Sequence, residues 1–92
     1  MRRFVIERDI PAIGQAGRKQ LREASQKSND VLAELAPDIQ WEHSYVTGDK
    51  IFCVYLAKDE EIVLEHARRS GFPATKITEV RKVIDPTTAN PD

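Results

Sequence analysis

The segment Ile39–Ala57, "IQWEHSYVTGDKIFCVYLA", constrains the fold more than any other part of this chain. Two runs rich in β-branched and aromatic residues flank the turn signal Thr47-Gly48-Asp49, which is the pattern of a β-hairpin. A helical stretch lies on either side of it. From about Arg18 to Ala36, Leu21, Ala24, Ser28, Val31, Leu32 and Leu35 recur at spacings of three, four and seven, as one face of a helix does. Pro37 ends that helix, because the residue before a proline is pushed out of helical conformation. After the hairpin, Asp59 can cap a second helix, Glu60 to about Ser70. Glu60 and Glu61 open it and Arg68 and Arg69 close it, which complements the helix dipole. Gly71 follows as a C-terminal stop, with Pro73 beyond.

Two more strands complete the order. Phe4–Glu7, "FVIE", precedes the loop "DIPAIGQAG" and the first helix. Lys76–Ile84 follows the second helix. The sequence β-α-β-β-α-β predicts an α+β, ferredoxin-like sandwich, with a four-stranded antiparallel sheet and both helices on one face. A single domain over 1–84 and a polar tail over 85–92, "DPTTANPD", account for all 92 residues.

That architecture leaves one sheet face uncovered in a single copy, so alternation along the strands matters. Phe52, Val54 and Leu56 form the all-apolar set of the third strand and are expected against the helices. Ile51, Cys53 and Tyr55 are then expected on the open face. A three-residue turn would place Trp41 beside Tyr55 and His43 beside Cys53; a turn of another length would reverse the match. With that register the open face gathers Glu7, Trp41, His43, Tyr45, Cys53, Tyr55 and Glu79. Aromatic walls with a few converging polar groups resemble a ligand cavity, and an aromatic uncovered face calls for a second subunit to cover it.

The chemistry offered by these residues has bland counterparts. His43 suits a transition-metal ligand when carboxylates share its face, and Glu7 and Glu79 are the candidates. Either glutamate alone reads as an ion-pair partner of Arg3, Arg8 or Arg81. Cys53 reads as a small buried hydrophobe unless it adds sulfur to a metal site. Trp41, Tyr45 and Tyr55 are packing residues with polar tips. His66, near the end of the second helix, reads as a charged imidazole stabilised by the helix C-terminus.

Other classes find no support. The 14 basic and 15 acidic residues give a net charge of −1, so neither nucleic acid nor an anionic membrane is expected as a partner. No apolar run approaches a membrane span, and "MRRF" is too short for a signal peptide. One cysteine excludes an internal disulfide, and a reduced cytoplasmic setting is the expectation. "GQAG" fits no phosphate-binding loop, and no nucleophile–base–acid set can be assigned.

"FVIERDIP", "SQKSNDVLAEL", "IQWEHSYVTGDKIFCVYLA" and "EHARRSGFPATKITEVRKVIDPTTA" together resemble a family of small bacterial proteins of largely unknown function, some of them nickel-binding. The resemblance runs from about Arg3 to Ala89. It implies a ferredoxin-like subunit, a homodimer whose sheets face each other as an α/β barrel, and Ni(II) as the metal to test. The family's recurring polar positions fall here on Glu7, His43, Ser44, Tyr45, Cys53, Tyr55, His66 and Glu79. The resulting expectation is a dimeric protein that stores, buffers or senses Ni(II) or another transition metal rather than catalysing. His43, Glu7, Glu79 and Cys53 would be its ligands. The alternative is a dimeric α/β-barrel enzyme, monooxygenase- or isomerase-like, or a small-molecule binder that uses the open face as its cavity.

Overall fold

The computed structural model describes residues 1–91. It contains β1 (Arg2–Asp9), α1 (Arg18–Leu35), β2 (Ile39–Val46), β3 (Lys50–Ala57), α2 (Glu60–Ser70) and β4 (Lys76–Val80). Short 3-10 turns follow β1 at Ile13–Gln15 and β4 at Pro86–Ala89. The strands form one sheet in the order β2-β3-β1-β4, antiparallel throughout. This is the expected α+β arrangement. Helix ends follow the local signals: the Asp59 carboxylate accepts from the Ile62 N–H, and Gly71 takes a left-handed φ of 78°.

Val31 and Leu35 of α1 and Val63 of α2 join one core cluster with Phe4, Ile6, Ile39, Cys53, Tyr55 and Ala57 of the sheet. Both helices therefore cover one sheet face. The α1 residues expected inside are buried or half-buried, Ser28 among them.

Three expectations are corrected. The faces of β3 are the reverse of those expected. Cys53 and Tyr55 are buried under the helices, whereas Phe52, Val54 and Leu56 point to the open face and stay half-buried. Both sets are apolar, so alternation within β3 does not choose between them. The pairing with β1 does, because core residues Ile6 and Phe4 stand opposite Cys53 and Tyr55.

The hairpin register is split by a β-bulge between Trp41 and His43. Before it, Trp41 pairs with Tyr55, as expected; after it, His43 pairs with Val54 rather than Cys53. Thr47 and Lys50 close a tight turn through a 2.8 Å backbone hydrogen bond. The turn thus spends two residues, Gly48 and Asp49, and Glu42 supplies the extra one as a bulge. Trp41 consequently faces the helices and His43 the open side.

β4 ends at Val80 instead of Ile84. Val80 pairs with Arg3, and β1 starts at Arg2, so the ladder runs out of partner there. Val83 and Ile84 are exposed. In the expected tail 85–92, Asp85 caps the Pro86–Ala89 turn, accepting from the Thr87 N–H at 2.8 Å; Asp92 lies outside the described residues. No helix among the described residues is long and apolar enough to cross a membrane.

Candidate functional site

The two faces of the sheet carry two different chemistries. On the open face, the bulge brings His43 out beside Tyr45, ring centroids 5.1 Å apart and edge-on. Both are exposed, Tyr45 at 62%. Val54 faces His43 from β3, and Val5 faces Val54 from β1. Glu7 lies one row further along, opposite Phe52, and pairs with Lys50 at 3.5 Å. Glu42 is taken by Arg3 at 2.7 Å, which holds the Glu42 carboxyl below its usual range. Val5, Phe52, Val54 and Leu56 make an apolar strip between these polar edges.

The candidate ligands do not converge within one chain. His43 and Glu7 share the open face, but β3 lies between their strands, a separation of roughly 10 Å at ordinary strand spacing. Glu79 pairs with Arg2 at 2.7 Å beside Phe4, on the helix side. Cys53 is buried on that side as well. Among the described residues no three His, Cys, Asp or Glu side chains gather closely enough to hold a metal.

Trp41, Cys53 and Tyr55, expected around an open-face cavity, stand on the helix side, together with Ser44. There they line an apolar cavity of about 580 Å³ between α1, the sheet and the loop after β1. Trp41 donates its indole N–H to Ser44 Oγ at 2.9 Å. The loop is pinned over the cavity by the hairpin turn. Gly14 N–H donates to Gly48 O at 2.9 Å, and Ala12 N–H to the Asp49 carboxylate at 2.8 Å.

The residue that sequence reasoning missed is Arg8. It is the largest fully buried side chain, only 2% exposed, and it lines the same cavity. Its Nε–H donates to Cys53 Sγ at 3.4 Å and one terminal nitrogen to Pro73 O at 2.8 Å. The other reaches Tyr55 Oη at 3.3 Å. The available signal was alternation: Phe4, Ile6 and Arg8 share one side of β1.

His66 sits behind Tyr55, ring centroids 5.3 Å apart, and is 1% exposed. It meets Ser28 Oγ at 3.1 Å. Burial first, and the charge of Arg8 second, push its pKa down to about 4. The expected charged imidazole at a helix end is therefore corrected to a neutral one between the helices and the sheet. Burial also pushes the Tyr55 phenol up, so it remains protonated.

Comparison with known proteins matches this arrangement to a family. No curated protein matches. The crystal structure of SCO4226 from Streptomyces coelicolor A3(2) superimposes with a TM-score of 0.75 at 20% identity, covering 89% of this chain and 99% of that one. That likeness concerns the fold. A family model described as nickel responsive protein, SCO4226-like, matches residues 4–80, which includes both helices and all but the first two residues of the sheet. The chain belongs to the SCO4226-like family of nickel-responsive proteins.

Proposed function

We propose that two copies of this chain pair through their open sheet faces as a dimeric α/β barrel. The dimer binds a transition metal, Ni(II) first, to store, buffer or sense it. One observation carries the reading. Of two histidines, only His43 is exposed, and it stands on the uncovered face beside an apolar strip suited to a second sheet. The description of the family as nickel-responsive supports the choice of metal.

One chain does not fit a metal alone, since no three donor side chains meet among the described residues. The proposed site is therefore shared. His43 of each copy supplies nitrogen, and Glu7 or water supplies oxygen, a donor set compatible with Ni(II). Cys53 and Glu79 lie on the other side of the sheet and are outside a site built at His43. The bound ion would supply Lewis acidity and affinity for further donors; the chain's own part is to hold imidazoles at a sheet-to-sheet interface.

The test is calorimetric titration of metal-free, tag-free protein with Ni(II), Zn(II), Cu(II) and Co(II), alongside His43→Ala. Saturable Ni(II) binding that the substitution weakens at least tenfold is expected. Binding indifferent to His43 would sink this reading. The rival reading is an enzyme or small-molecule binder with the open face as its cavity, for which no nucleophile–base–acid set can be assigned among the described residues. The apolar cavity seen in one chain lies on the opposite face.

A further inference from the structure

Arg8 is a buried charge without a counter-charge. Among the described residues no carboxylate lies within ion-pairing distance of its guanidinium. Its partners are a thiol, a peptide carbonyl and a phenol. The one acidic residue lining the cavity, Asp9, pairs with Lys50 at 3.5 Å. A cation taken out of water without an anion is costly, and folded proteins ordinarily pair it.

The guanidinium also has donors to spare. It carries five N–H groups, and three are engaged, one on each nitrogen. One N–H on each terminal nitrogen is left to donate, and carboxylate oxygens are the strong acceptors for such guanidinium donors. A second cation adds to the field: Lys27 Nζ and Arg8 Cζ lie 5.9 and 5.8 Å from the centroid of the Phe72 ring. The remaining walls are largely apolar, with Ile10, Ile13, Leu21, Trp41 and Ile51 among them. A volume of about 580 Å³ is within the range of small-ligand pockets.

We propose that this cavity binds a small organic acid with an apolar body, whose carboxylate takes the two free N–H groups of Arg8. The apolar body lies along Leu21, Trp41 and Ile51. This site is on the helix side of the sheet and does not depend on a metal or on a second copy of the chain.

The test uses the full chain and two matched probe pairs: octanoate with octanol, and phenylpropionate with phenylpropanol. Binding is followed by calorimetry and by the emission of Trp41, the only tryptophan. At least one acid is expected to bind saturably and at least tenfold more tightly than its alcohol. Arg8→Met should abolish that preference. Ala24→Phe, which fills the cavity from α1 and leaves the Arg8 side chain in place, should weaken acid and alcohol alike. Failure of both acids to bind, or equal binding of acid and alcohol by the unaltered chain, would overturn the proposal. So would acid binding that Ala24→Phe leaves unchanged. Should Arg8→Met not fold, the acid-to-alcohol ratio and the Ala24→Phe variant still decide.

Discussion

Ser28 of α1 and His66 of α2 meet at 3.1 Å, both buried, and their hydrogen bond ties the two helices together over Tyr55. Removing one partner of a buried pair leaves the other without that hydrogen bond. Ser28→Ala should therefore cost about 1–3 kcal/mol, read as a lowered midpoint in urea denaturation.

The same histidine sets an acid limit on stability. In the folded chain its pKa is near 4, against 6.5 for the free group. The unfolded chain thus binds more protons between these values, and stability must rise with pH across that window. It is fully present above about pH 6.5 and is lost as pH falls toward 4, by roughly 3 kcal/mol in all. Urea midpoints measured from pH 7 to pH 4.5 should fall for the unaltered chain. They should fall much less for His66→Gln, which cannot titrate.

Gly14 lies so close to the hairpin turn that a Cβ there would sit 2.7 Å from Thr47 O and 2.9 Å from Gly48 Cα. The close atoms are all backbone of the turn, which leaves little room to adjust. Gly14→Ala should lower stability by about 1–3 kcal/mol in thermal melts, the usual range for overpacking. It should also loosen the loop over the helix-side cavity and weaken any ligand held there.

Val54 stands at the centre of the open face, opposite Val5 and His43, where the proposed dimer would pack. Val54→Glu should leave the single-chain fold intact, because the side chain does not contribute to the cluster under the helices. If the proposed dimer forms, the substitution should leave a folded monomer in sedimentation. A Val54→Glu protein that still sediments as a dimer would place the interface elsewhere.

His43→Ala offers the complementary control. The imidazole is exposed, so its loss should change stability by no more than about 0.5 kcal/mol while weakening Ni(II) binding. Loss of metal binding together with a large loss of stability would point to an indirect effect.

The elements were legible because their boundaries are set by local chemistry. Pro37, Asp59 and Gly71 each act on the few residues around them, and α1, β2 and α2 start or stop where those signals say. The sides of the sheet were less legible. Two of the β3 residue sets are apolar, so period-two reading had no contrast to use, and only pairing with Ile6 and Phe4 decides. The bulge at Glu42 leaves no mark of its own, since glutamate is an ordinary residue at an exposed position. Arg8 was hidden by its charge: just past the strand expected over Phe4–Glu7, it reads as an ion-pair partner for a glutamate. Its burial depends on Pro73, Cys53 and Tyr55, which come from distant parts of the chain.

The bulge has a consequence for how this hairpin can vary in length. Trp41 pairs with Tyr55, and His43 with Val54, so Glu42 is a surplus residue that opposes no partner of its own. Excising it would join two stretches already in step, keep the sidedness of each flanking residue, and remove only the Arg3 ion pair. Insertions and deletions are normally confined to loops; here one is accommodated inside a strand.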